Sequence, residues 1–143
     1  MRILTIGFIG PAAALALSAC AGTMPGGGTG GCDRGDGALD EAAFVFATAP
    51  SVGARVPSGF EVSGCSRTFE STIVWRLHGR DGAVLAQGTA TGGGVDGPGP
   101  FAFTVPFAVA ERQVGRLEVF EEDASDGEGF PPGRNVLPLV LEP

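Results

Sequence analysis

Hydrophobic and polar residues alternate with a period of two in several short segments after residue 43. The clearest segment contains Ile73, Trp75 and Leu77, which alternate with a largely polar set of neighbours. Because successive side chains of a β-strand point to opposite faces of a sheet, this period predicts a strand with one buried face. We expect Trp75 to pack in the core and His78, at the end of the same segment, to lie exposed on the solvent face.

Six further segments show the same alternation or a short apolar run bounded by turn residues. They lie at residues 43–47, 60–64, 84–91, 101–107, 117–119 and 136–141. Asp81-Gly82 can adopt the positive φ of a tight turn, so a hairpin should join the strand of Trp75 to the next one. Pro138 lacks an N–H group, which predicts that the last strand is an edge strand.

Seven short strands, with one candidate helical turn at residues 109–114, predict an all-β protein. Seven is the strand count of an immunoglobulin-like antiparallel β-sandwich, which is the fold we expect. Composition agrees with this fold. Twenty-five Gly and 11 Pro are too many for a helical protein, and a hydrophobic content of 43% is too high for a disordered chain.

The N-terminus has the anatomy of an export signal. Arg2 precedes an apolar stretch at residues 3–17, which ends in Leu17-Ser18-Ala19-Cys20. This ending is similar to the lipobox of bacterial lipoproteins, which implies a diacylglyceryl group on Cys20. The alternative is an ordinary secretory signal with Cys20 just after the cleavage site. A transmembrane helix is not favoured because the stretch is short of the required ~20 residues and contains Pro11.

These features divide the chain into three parts. Residues 1–19 are the predicted lipoprotein signal peptide, residues 20–42 the lipidated Cys and a glycine-rich tether, and residues 43–143 the β-sandwich domain. Ala21 follows the lipid site, where lipoproteins kept at the inner membrane often carry Asp. By that resemblance we expect a location in the cell envelope, at the outer membrane facing the periplasm in a Gram-negative cell.

Two cysteines remain after Cys20 is assigned to lipid. Cys32 and Cys65 would both enter an oxidising compartment on export, which predicts a disulfide between them. The alternative is a free, reactive or metal-binding thiol.

Net charge argues against nucleic acid as a partner. The formal charge of −7 becomes −8 when Arg2 is removed with the signal, and such a surface repels phosphate backbones. All nine basic residues are Arg, and they form no cluster along the sequence.

The folded segment resembles the immunoglobulin-like domain of bacterial spore germination proteins. The residues that carry the resemblance lie at 50–56, 62–64, 69–70, 75–77, 81–88, 99–101, 117–120 and 126–127. The resemblance implies an extracytoplasmic module that mediates binding at the cell envelope and has no known catalytic residues. Cys32 and Cys65 depart from the family pattern, so the predicted disulfide is particular to this chain.

Two loops carry candidate binding residues. Asp123, Asp126 and Glu128 lie in an acidic loop whose oxygen ligands could hold Ca²⁺, although the spacing matches no EF-hand and a solvated loop is the simpler reading. Phe130 and Arg134, on a proline-stiffened segment, could contact a partner or simply connect two strands.

Glycine runs at residues 92–94 and 97–99 are a third candidate. Neither run precedes a predicted helix and no Lys follows, so a phosphate-binding loop is not favoured. We expect this segment to be a mobile connection between strands.

The sequence therefore predicts a membrane-anchored envelope lipoprotein with a non-catalytic immunoglobulin-like binding module. The expected partners are membrane lipid, through Cys20, and an envelope protein or cell-wall component. The alternative is a lipoprotein inhibitor that inserts the 121–134 loop into a periplasmic hydrolase. Neither an enzyme nor a cofactor is expected, because a single His, paired Cys and scattered Ser supply no nucleophile with a base.

Overall fold

The computed structural model of the protein describes residues 31–32, 42–123 and 133–143. These residues form eight β-strands and no helix, and no helix in this part of the chain could span a membrane. The strands are β1 (Phe44–Ala49), β2 (Arg55–Val56), β3 (Phe60–Arg67), β4 (Thr72–His78), β5 (Val84–Thr91), β6 (Gly99–Val105), β7 (Gln113–Phe120) and β8 (Arg134–Leu141). The all-β prediction is confirmed.

Two sheets pack face to face to make the sandwich. One has three strands in the order β1-β3-β6, and the other has five in the order β2-β8-β7-β4-β5. All neighbours are antiparallel except β2 and β8, which are parallel. The eighth strand, beyond the seven expected, is β2, whose two residues are too few to show an alternating pattern. The helical turn predicted at residues 109–114 is wrong, because β7 already begins at Gln113.

The core consists of the inward positions of the alternating strands. Trp75 on β4 is buried as predicted and stacks on Phe103 of β6, with ring centroids 5.2 Å apart and planes at 7°. Gly88 on the neighbouring strand β5 leaves room for the indole, since a Cβ there would lie 2.7 Å from the Trp75 ring. The two sheets are therefore joined by aromatic stacking at the centre of the sandwich.

In β1 the inward positions belong to the smaller residues. Val45 and Ala47 pack against the core, whereas Phe44 and Phe46 lie on the outer face, the face turned away from the other sheet. The two Phe rings stack on each other with centroids 4.8 Å apart. The outer face of the three-stranded sheet is thus partly aromatic.

The hairpin predicted between β4 and β5 is confirmed. Gly82 has a φ of +84° and its N–H donates to the Gly79 carbonyl at 3.0 Å. The Asp81 carboxylate accepts a hydrogen bond from the Ala83 N–H at 3.0 Å. Asp and Gly in this order therefore make the tight turn that brings β5 back beside β4.

The prediction that β8 is an edge strand is wrong, because β8 lies between β2 and β7. The Pro138 carbonyl accepts a hydrogen bond from the Gly53 N–H at 2.8 Å, on the side away from β7. The N–H and C=O of one strand residue point to the same side, so the N–H that Pro138 lacks would also point away from β7. Proline is tolerated there because β2 pairs only with Val140 and Leu141.

The glycine segment after β5 is packed rather than a mobile connection. Gly93 and Gly94 are buried, and the Gly93 carbonyl accepts a hydrogen bond from the Thr68 N–H at 3.1 Å. A Cβ on Gly93 would lie 2.1 Å from the Gly99 nitrogen and 2.3 Å from the Ser66 carbonyl oxygen. Glycine is required here because backbone passes against backbone, not because the chain must move.

Candidate functional site

The two remaining cysteines form the predicted disulfide. Cys32 and Cys65 are joined by an S–S bond of 2.00 Å, with Cα atoms 5.5 Å apart. Cys65 occupies an outward position of β3, so the arm that carries Cys32 is fixed to the outer face of the three-stranded sheet. The pairing of these thiols removes the free-thiol alternative.

Several predicted site residues lie outside the described part of the chain. They are Cys20, Asp126, Glu128 and Phe130. Asp123 is described, and within the described ranges no group of His, Cys, Asp and Glu is arranged to hold a metal ion. The lipid anchor and the calcium loop therefore stay predictions from the sequence.

Arg134 begins β8 and contacts an aromatic ring on the neighbouring strand. Its guanidinium carbon lies 4.8 Å from the Phe120 ring centroid, and that of Arg76 lies 4.9 Å from the same centroid. Phe120 is on β7, with β8 on one side and β4 on the other. Leu117 and Val119 point into the core, so strand alternation turns Phe120 to the outer face of the five-stranded sheet.

Glu118 lies at the next outward position of β7 and is surrounded by basic groups. Its carboxylate oxygens lie 3.0 Å from Arg116 Nε, 3.4 Å from Arg134 Nη1 and 3.8 Å from His78 Nε2. Burial by itself would raise the pKa of Glu118. The hydrogen bond from Arg116 and the charges of His78, Arg116 and Arg134 outweigh burial and hold the pKa below its ordinary value.

His78 differs from its prediction, because its side chain is only 12% exposed. Nδ1 lies 3.1 Å from the Gly82 carbonyl oxygen, and Nε2 is buried without a hydrogen-bond partner among the described residues. The ring is covered because it lies between the β4–β5 turn and Glu118 on β7. Its contacts are a backbone carbonyl and a carboxylate rather than a nucleophile, so the arrangement fits a charge cluster and not a catalytic base.

We call this surface the arginine face and define it by Arg76, Arg116, Arg134, His78, Glu118 and Phe120. The three Arg side chains remain 39%, 46% and 54% exposed, respectively. Exposed Val114 and Val136 lie at outward positions of the same sheet. Guanidinium groups form paired hydrogen bonds with carboxylate or phosphate, and the flanking apolar surface adds contact area. The face is therefore suited to binding an anionic group.

The sequence did not reveal this cluster. Arg76, Arg116 and Arg134 are far apart along the chain and become neighbours only through the pairing of β4 with β7 and of β7 with β8. Strand parity does place each of them on a solvent face. The register that aligns Val74, Phe120 and Arg134 across three strands is set by long-range pairing and has no local signal.

We expect Glu118 to make stability depend on pH. A folded-state pKa below the unfolded one stabilises the fold above the ordinary carboxyl pKa, and this contribution is lost as the pH falls through the folded value. Glu118→Gln should therefore flatten the loss of stability in that acidic window, measured by urea unfolding at a series of pH values. Glu111→Gln, at an exposed surface ion pair, is the matched control and should leave the pH profile unchanged. Identical profiles for the two variants would contradict the assignment.

The sequence profile of a family described as the immunoglobulin-like domain of bacterial spore germination matches residues 44–128. Among solved structures, the crystal structure of CopC from Methylosinus trichosporium OB3b is similar, with a TM-score of 0.42 and 19% identity. That similarity covers 71% of this chain and 95% of the other. No protein with a curated description matches the sequence.

Proposed function

Because the chain belongs to the family of immunoglobulin-like domains of bacterial spore germination, we propose that it is a non-catalytic binding module. We further propose that lipid on Cys20 anchors the module in the cell envelope and that the arginine face is its binding surface. Membership of the family does not by itself assign a role in germination to this chain. The partner is an envelope protein or cell-wall component that presents an anionic group.

The position of Arg76 and Arg134 over Phe120 is the observation that carries the binding proposal. Two strands that flank β7 hold both guanidiniums against one ring, so the side chains lose little further freedom when a ligand binds. The face collects three Arg in a protein with a net charge of −7. Each of the three also lies near a carboxylate, Arg116 and Arg134 near Glu118 and Arg76 at 3.8 Å from the exposed Glu122.

The disulfide supports an outward orientation of the arginine face. Cys32 follows Cys20 by 12 residues, a length that spans at most about 40 Å when extended. Through Cys65, this short connection attaches to the outer face of the three-stranded sheet, on the opposite side of the sandwich from the arginine face. An anchor on that side leaves the arginine face directed away from the bilayer.

Mass spectrometry of the protein extracted from membranes without reductant tests the anchor. We expect loss of residues 1–19 together with added acyl mass, and neither change in Cys20→Ala. Two acyl chains or more hold a protein on a membrane. The uncleaved variant keeps the apolar segment at residues 3–17, so the measured mass, and not fractionation, distinguishes it from the wild type. A soluble wild-type product without acyl mass would refute the anchor and leave a secreted binding domain.

Binding by the arginine face is tested with Arg76→Ala/Arg134→Ala. Detergent-solubilised envelope and purified peptidoglycan are each titrated with the wild type, this variant and Arg55→Ala/Arg112→Ala, which removes two exposed guanidiniums that pair with Glu142. Removing two central Arg side chains from an interface should weaken binding at least tenfold, about 1.4 kcal/mol or more. Arg55→Ala/Arg112→Ala should bind like the wild type. Binding of a hydrolase that survives the double substitution would instead favour inhibition through the 121–134 loop.

A further inference from the structure

In the described part of the chain four strands are edge strands of the two sheets, and three of them are protected against pairing with another chain. The Ala47 N–H of β1 donates to the Asn135 side chain at 2.9 Å, and β1 has a register shift after Ala47. Strand β6 contains Pro100, and β2 is only two residues long. Covering side chains, irregular register, proline and short length are the usual devices that block edge-to-edge association.

Strand β5 has little of this protection. Its eight residues, Val84–Thr91, include no charge and no proline, and its pairing with β4 is irregular only at the first residue. Its neighbour on one side is β4, and on the other side its backbone makes no backbone hydrogen bond with another described element. A regular, uncharged edge of this length presents a row of donors and acceptors to another strand.

We propose that a second copy of this chain pairs with β5 through its own β5, antiparallel about a two-fold axis. Residues directly opposite each other lie on the same face of the joined sheet. The register must therefore place inward residues opposite inward residues and outward residues opposite outward ones. Centred on Gly88, it places Gln87 opposite Thr89 of the second copy, both exposed, and Ala86 opposite Ala90. The Ala pair on the inner face is small, and the Gln and Thr on the outer face can form hydrogen bonds with each other. Such a seam has no steric or charge conflict.

Charge favours a second copy over an unrelated acidic or basic peptide. A strand without charge can pair with itself in a protein of net charge −7 without placing like charges opposite each other. The same register places the β4–β5 turn, which carries Arg80, at the end of β5 of the second copy, where the segment that carries Asp96 begins, twice by symmetry. Because both copies use the same surface, this isologous contact gives a dimer and cannot add a third copy.

The two-fold axis has a consequence for the surfaces already described. An axis perpendicular to the joined sheet keeps both arginine faces on one side and both Cys32–Cys65 disulfides on the other. Two copies tethered to one membrane can therefore form this dimer without turning over. This point rests on the proposed lipid anchor, whereas the β5 seam itself does not.

The full-length protein in detergent tests the seam. Light scattering coupled to size exclusion gives the protein mass over a concentration series, and hydrogen exchange of the β5 peptide is followed at high and low concentration. We expect a dimer whose β5 amides become protected as concentration rises.

Gln87→Lys/Thr89→Lys places like charges across the seam and should raise the dissociation constant at least tenfold. Ala102→Lys/Thr104→Lys, at exposed positions of β6, is the matched control and should dimerise like the wild type.

A charge exchange tests the register independently. Arg80→Glu should weaken the dimer several-fold, and adding Asp96→Arg should restore the wild-type constant to within about twofold. A protein that is monomeric at every concentration overturns the proposal, as does a dimer that both lysine pairs affect equally. Neither result depends on acylation or on the arginine face. Failure of the dimer proposal would therefore leave the proposed function to be tested by its own experiments.

Discussion

Trp75→Ala is expected to lower the free energy of unfolding by about 3 to 5 kcal/mol, because it removes the largest side chain of the core. The indole stacks on Phe103 across the sandwich and lies against Gly88 on the adjacent strand. Both contacts would be replaced by a cavity between the two sheets. Packing around Gly88 cannot fill that cavity, since glycine has no side chain to rearrange.

Unfolding in urea followed by circular dichroism measures this effect, since Trp75 is the chain's only Trp and its fluorescence is lost in the variant. Trp75→Phe provides a folded reference should the alanine variant fail to fold. It keeps an aromatic ring and removes an indole N–H that is buried without a hydrogen-bond partner in the described structure, so its cost should be well below that of alanine. Phe69→Ala, at a ring 73% exposed, should change stability by about 0.5 kcal/mol or less. Equal losses in Trp75→Ala and Phe69→Ala would contradict the central role of Trp75.

Strand β4 was predictable from the sequence because its two faces differ in polarity. Ile73, Trp75 and Leu77 point inward, and the alternating positions between them are half-buried on the outer face. In β1 both faces are apolar, so alternation alone does not tell whether the Phe or the smaller residues point inward. Tertiary packing decides: Val45 and Ala47 fit against the core, and the two Phe rings stack on the outer face of the sheet, where Phe44 is buried and Phe46 is exposed.

Features that depend on two distant segments were harder to predict. Pro138 suggested an edge strand, since the sequence contains no sign that a two-residue strand would pair beyond it. His78 was expected to be exposed, and its burial comes from Glu118 on another strand. The glycines at 92–94 resemble a mobile linker, although Gly93 is where two backbones meet. In each case the missing information was register or close approach, which local composition does not encode.

The arginine face combines both kinds of information. Parity along each strand already puts Arg76, Arg116 and Arg134 on a solvent face. Their approach to one carboxylate and one aromatic ring depends on the strand order β8-β7-β4. This order makes strands from the end and the middle of the chain neighbours in the sheet. A binding surface of this type can be read from a sequence only after the sheet order is known.

Loss of the disulfide is expected to lower the free energy of unfolding by about 3 to 4 kcal/mol on the chain-entropy estimate for a loop of this length. The bond links residues separated by 33 positions, and the enclosed segment contains β1, β2 and most of β3. Opening it increases the entropy of the unfolded chain and frees Cys32, which is buried against the three-stranded sheet. Denaturant unfolding of Cys32→Ala/Cys65→Ala, followed by Trp75 fluorescence, measures the loss.

Reductant distinguishes the disulfide from the side chains that form it. Reduction of the wild type should bring its unfolding midpoint close to that of the double variant, while the variant itself should not respond. Cys20→Ala is the matched control, since it removes a cysteine outside the bond and should retain the full response of the folded domain to reduction. If the wild type lost less than about 1 kcal/mol on reduction, the sandwich would be stable through its two-sheet core alone. The disulfide would then serve to fix the tether to the outer face of β3 rather than to stabilise the fold.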